Sequence, residues 1–91
     1  METRRGFAKA LKNLRKKKGL TQEDLSEYSS RTYISSLERA IKSPTLDKID
    51  EISEMMDIHP LELLILTYKY TSPRKSINKV ITKILSNIES L

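Results

Sequence analysis

The sequence predicts an all-α protein, with one helical domain over residues 1–70 and a further amphipathic helix within 71–91. Three observations predict it. Apolar residues recur three and four positions apart in successive segments, ending in the stripe Ile77, Val80, Ile81, Ile84, Leu85, Ile88 and Leu91, which is the period of a helix with one buried face. Helix punctuation separates those segments, with Thr21, Thr45 and Ser72-Pro73 as starts and Gly19 as a stop. The length, 91 residues, allows one domain with a small core.

The first helix is expected over Thr3 to Lys18. Phe7, Ala10, Leu11 and Leu14 form its apolar stripe, and Arg4, Arg5, Lys9, Lys12, Lys16 and Lys17 take the other faces. Gly19 ends it after a basic last turn, and Leu20 packs back on the core. Thr21 then caps a second helix, with Asp24 at the acidic position of a capping box and Leu25 and Tyr28 as the buried edge. Ser29 and Ser30 interrupt it, because their side chains compete for backbone hydrogen bonds. A third helix spans about Arg31 to Arg39, with Ile34 and Leu37 inward and Arg31, Thr32, Ser35, Ser36 and Arg39 outward. The outward set has donors and small polar groups and no carboxylate, which suits base edges and phosphates.

A loop through Pro44 leads to Thr45, the cap of a fourth helix over Leu46 to Met56, with Leu46, Ile49, Ile52, Ser53 and Met56 inward. Pro60 opens a fifth helix to about Tyr68, with Leu61, Leu64 and Ile65 as core residues and Leu63 and Leu66 partly so. The run LELLIL is apolar nearly all round, which implies burial on more than one side. Ser72 and Pro73 start the sixth helix, to about Ser90. Its stripe needs a partner, since an isolated helix of this length is marginal in water. That partner is either Leu63, Leu66 and Tyr70 of the same chain or the same helix of a second subunit; the dimer contact, through Ile77, Val80, Ile81, Ile84, Leu85 and Ile88, is favoured.

Net charge is +5, and it is unevenly spread. Residues 1–18 hold eight Lys or Arg against Glu2, whereas residues 47–62 hold six acids against Lys48. A basic end favours a polyanion and steers docking, although a lysine-rich helix is also an ordinary solvated face. There is no cysteine, hence no disulfide framework and no Cys-based zinc site, which fits a reducing cytoplasm. No apolar run of about 18 residues exists, so no membrane span is expected. The lone histidine, His59, precedes Pro60 and reads as a cap or linker residue. No nucleophile stands near a base and no metal-ligand spacing appears, so neither an enzyme nor a cofactor or metal is expected.

LRKKKGLTQEDLS followed by RTYISSLERAIKSPTL resembles the XRE family (lambda-repressor-like, Cro-like) of helix-turn-helix DNA-binding proteins, over residues 6 to about 66. The resemblance implies a five-helix DNA-binding domain, with the sixth helix beyond it. Two departures stand out: the turn is about two residues shorter than usual and lacks its glycine, and Ala40 replaces the common Gly after Glu-Arg. The resemblance also implies that Arg15 pairs with Glu38, and that Gln22 donates to a phosphate while buttressing the reading helix.

From this follow the expected DNA contacts. Arg31, Thr32, Ser35 and Ser36 would read bases, with Arg31 gripping a guanine or else only a phosphate, and the two serines contacting bases or else standing as neutral solvent positions. Gln22, Ser30, Tyr33, Arg39 and Lys42 would meet the backbone, Tyr33 by stacking unless it fills the gap left by the short turn. The expected function is a sequence-specific transcriptional regulator, such as a phage-type repressor or a restriction-modification controller, binding double-stranded DNA as a homodimer. The alternative is an antitoxin or other protein-interaction module that also binds DNA.

Overall fold

The computed structural model describes residues 2–26 and 30–91. The predicted buried edge at Tyr28 and the turn at Ser29 lie outside the described residues. Among those described there are five α-helices, one short 3-10 turn and no strand: α1 Glu2–Lys17, the 3-10 turn Glu23–Leu25, α2 Arg31–Glu38, α3 Leu46–Met55, α4 Pro60–Thr71 and α5 Ile77–Glu89. Where the sequence predicts a second helix, the described part is thus the 3-10 turn. The capping box nevertheless forms around it: Thr21 N–H donates to Asp24 Oδ2 at 2.7 Å, and Asp24 N–H donates to Thr21 Oγ1 at 3.1 Å.

Three helices end in the same way. After α1, α2 and α3 the residues Gly19, Ala40 and Asp57 take left-handed φ values of 71°, 60° and 56°. In each case that residue's N–H bonds back to Lys16, Leu37 or Glu54, and the next residue's N–H bonds to the carbonyl of Arg15, Ser36 or Ser53. This pair of bonds is the Schellman motif, which satisfies carbonyls the helix leaves orphaned. Glycine enters that region freely, while an L-residue crowds its Cβ against a carbonyl. Ala40 therefore carries a strain that the usual glycine would not. The residues after the stops, Leu20 and Ile58, pack against the core.

The core gathers Phe7, Leu11, Leu14, Leu25, Ile34, Leu37, Ile52, Met56 and Leu63. Its spine is the crossing of α1 with α4. Gly6 makes that crossing close: a Cβ there would lie 2.6 Å from the Thr67 carbonyl oxygen and against Thr71 Oγ1. α4 consequently buries the edge carrying Leu63 and Thr67.

This corrects the expected core of α4. Leu61 is 57 % exposed and Ile65 37 % exposed, whereas Leu63 is fully buried. With apolar residues all round, periodicity could not say which side α1 would cover. Leu46 is also corrected, since it is exposed at the first turn of α3, ahead of the buried Ile49 and Ile52. α4 runs to Thr71, past the expected Tyr68, because the first breaker is Pro73, which disfavours helical backbone at Ser72. The cap of α5 is accordingly Ser76, whose Oγ accepts from Lys79 N–H, and not Ser72.

Candidate nucleic-acid interface

α2 is a short helix with two different sides. Ser30 caps it, its Oγ accepting from Tyr33 N–H at 3.0 Å. Ile34 and Leu37 are fully buried, while Arg31 and Thr32 are exposed and Ser35 is half-buried. Ser36, predicted to read bases, faces the wrong way. It is buried, and its Oγ donates to the Tyr33 carbonyl at 2.6 Å. Its burial does not follow from the helical period, since two residues past Ile34 the helix has turned about 200°. Arg39 ends the helix, exposed, and Lys42 is exposed in the loop beyond.

Behind α2 lies a polar seat. Arg15 of α1 donates through Nε to Glu38 Oε2 at 2.6 Å and through Nη2 to Oε1 at 2.9 Å. Its Nη1 donates to the Leu20 carbonyl at 2.8 Å. Gln22 Nε2 adds a bond to Glu38 Oε1 at 3.2 Å. The two charged side chains are nearly enclosed, 10 % and 3 % exposed. The hydrogen bonds to Glu38, and then its charge, push the Arg15 pKa above its ordinary value against the opposing effect of burial. Both remaining ends of the seat are anchored: Leu20 follows the stop of α1, and Gln22 sits inside the Thr21–Asp24 capping box. The Thr21 backbone N–H on the Asp24 carboxylate, and then the Thr21 hydroxyl, hold that carboxyl below the usual carboxylate range.

Tyr33 is half-buried and packs on the core, and its ring faces the ammonium groups of Lys42 at 5.8 Å and Lys48 at 5.9 Å. Lys48, which also pairs with Glu51 at 3.0 Å, was not among the predicted contact residues. Its sequence neighbourhood is acidic, and only the fold returns it to α2. On the opposite flank a shallow hollow is lined by Arg5, Lys9 and Lys12 of α1 together with Arg39 and Ala40. Lys9 is held there over the Tyr70 ring at 4.5 Å, and Tyr70 accepts from Asn13 Nδ2 at 2.9 Å. The spacing of residues 5, 9 and 12 could have flagged this ridge, since it places all three on one helix face.

The remaining predicted residues lie away from α2. His59 caps α4, its Nδ1 accepting from Leu61 N–H at 3.0 Å. The residues predicted to form a dimer contact lie along α5, of which none is buried. Ile77, Val80 and Ile81 are half-covered, whereas Ile84, Leu85 and Ile88 are exposed. None of the described helices is long and apolar enough to cross a membrane.

Comparison with known proteins agrees with this geometry. A helix-turn-helix family model matches residues 11–63, from the middle of α1 into α4. The chain is also 35 % identical over 66 residues to an uncharacterized HTH-type transcriptional regulator, y4dJ, of Sinorhizobium fredii (strain NBRC 101917 / NGR234), an alignment covering 70 % of this chain and 86 % of the relative. No solved structure matches. A family match over more than half of the chain, on a short helix seated by Arg15, Glu38 and Gln22, places this protein in the XRE-type helix-turn-helix family.

Proposed function

We propose that the protein is a sequence-specific transcriptional regulator that binds a pseudo-palindromic operator as a homodimer, with α2 in the major groove. The observation that carries this reading is the contrast between the two sides of α2. One is locked to α1 through Arg15, Glu38 and Gln22. The other leaves Arg31 and Thr32 open to solvent at the N-terminal end, with Ser35 half-buried behind them; this is the end from which the motif contacts base edges. The similarity to an HTH-type transcriptional regulator supports the same reading.

In this reading Arg31 takes a guanine through its two acceptors, Thr32 meets a thymine methyl, and Ser35 adds one polar contact. Ser30, Arg39 and Lys42 meet phosphates. Tyr33 holds Lys42 and Lys48 in position from beneath. Gln22 spends one amide hydrogen on Glu38 and keeps the other for the backbone. Arg5, Lys9 and Lys12 extend the positive surface along α1, so affinity falls steeply with salt as phosphate counterions are released on binding.

Selection of bound duplexes from a random pool tests the reading. Two inverted half-sites with centres about 34–36 Å apart are expected. A pool that shows no enrichment, or a single asymmetric site, overturns it. A protein-interaction role is the second reading, favoured by the open apolar side of α5. It predicts a stoichiometric companion when the tagged protein is purified from its own cells.

A further inference from the structure

We infer that the groove between α4 and α5 is the seat for the C-terminal half of α5 from a second copy, so that two chains clasp each other by reciprocal antiparallel insertion. This rests on the homodimer proposed above and specifies its contact.

The groove has a volume of about 400 Å³ and is lined by Leu64, Ile65 and Tyr68 of α4 and by Ile77, Val80, Ile81 and Ile84 of α5. Ile65 is 37 % and Tyr68 54 % exposed, so its walls are apolar surface left in water. α5 is divided along its length. The turns as far as Ile84 line the groove, while Leu85 and Ile88 are 52 % and 58 % exposed beyond it. A continuous helix cannot fold its own far end back into a groove that its near end borders. The apolar end and the open groove are therefore complementary but cannot meet within one chain.

A two-fold axis resolves this. Each copy gives its α5 end and receives its partner's, so both grooves and both ends are covered in a closed, isologous contact. Side-by-side packing of α5 on α5 alone would leave Leu64, Ile65 and Tyr68 in water. Charge selects the antiparallel direction. It brings Glu89, at the negative C-terminal end of one α5, to the end of the other groove where Lys75 lines the wall and Lys79 opens the helix. A parallel pairing would set the N-terminal lysines against one another. Thirteen residues are also too few for α5 to hold its helix unaided in water.

The chain has no cysteine, so introduced thiols report on the contact without background. Full-length Ile65→Cys and Ile88→Cys, both at exposed positions, are mixed and oxidised. A disulfide between residue 65 of one chain and residue 88 of the other is expected as the main product. Ile88→Asp should be monomeric by size exclusion, with the helical circular dichroism of α1 to α4 retained. Lys75→Glu should weaken self-association roughly two- to five-fold, and adding Glu89→Lys should restore it.

A dimer without the 65–88 crosslink, or one that instead joins residue 88 to residue 88, overturns the insertion and leaves the homodimer standing. A chain that stays monomeric at high micromolar concentration overturns both. So does native mass spectrometry that finds a monomer carrying an amphiphilic small molecule in place of a second chain.

Discussion

Arg15 and Glu38, 23 residues apart, meet in a two-bonded pair with Nε–Oε2 at 2.6 Å and Nη2–Oε1 at 2.9 Å. The pair joins α1 to the last turn of α2, so the orientation of α2 depends on it. With Glu38 nearly enclosed, removing Arg15 strands a buried carboxylate on Gln22 alone. Arg15→Met should cost about 3–5 kcal/mol in urea unfolding. Arg15→Met combined with Glu38→Leu should recover much of that, because no orphan charge remains. A double-mutant cycle with a coupling near zero would show that the pair does not hold the two helices.

Ala40 holds a left-handed φ of 60° at the stop after α2. Glycine enters this conformation without the Cβ clash, so Ala40→Gly should stabilise the protein by ~1 kcal/mol, less whatever the more flexible unfolded chain takes back. Asp57→Gly, at φ 56°, should gain less, since aspartate tolerates that region better than alanine. Thermal melts of the two variants against the parent test the order. A lower melting temperature for Ala40→Gly would mean that the alanine side chain contributes packing that outweighs the strain.

Gly6 sets the distance between α1 and α4. Adding a methyl there meets the Thr67 carbonyl oxygen at 2.6 Å, a backbone atom that cannot rotate away. Gly6→Ala should destabilise the protein by ~1–3 kcal/mol by overpacking, despite the better helix propensity of alanine. Denaturant midpoints measure this, and a neutral or stabilising effect would show that the helices separate at little cost.

Arg31 and Lys42 are expected to fail differently in binding. Arg31→Ala should relax preference at one base position and cost ~1–3 kcal/mol on the selected operator. Lys42→Ala should weaken all duplexes alike and reduce the salt slope by about one. Competition gel shifts on selected and random DNA at several salt concentrations separate the two. Equal losses on both DNAs for both variants would reject this division between base and backbone contacts.

Much of the architecture was legible because it is written in local chemistry. The Phe7–Leu14 stripe, the capping box at Thr21 and Asp24, the caps Ser30 and Thr45, and the stop at Gly19 each depend on atoms a few residues apart. The faces of α4 were not legible. Leu61, Leu63, Leu64 and Ile65 are equivalent by hydropathy, and what separates them is the side on which Gly6 lets α1 approach. Ser36 was missed for a related reason. A small polar residue suits an outer face by its chemistry, yet its hydroxyl can be satisfied by the Tyr33 carbonyl within its own helix, which makes an inward position cheap.

By itself the sequence determined the helical class, the caps Ser30 and Thr45 and the stop at Gly19, the basic character of α1, and the family to which the motif between Leu20 and Leu46 belongs. Those properties follow from backbone hydrogen bonding and from the order of side chains along the chain. Only the tertiary structure decided that Ser36 is buried, unlike Arg31 and Thr32, that Lys48 comes beside Tyr33, and that α5 leaves its apolar end uncovered. Each of these depends on which helix arrives at which face, and that choice is made by packing between segments distant in the chain.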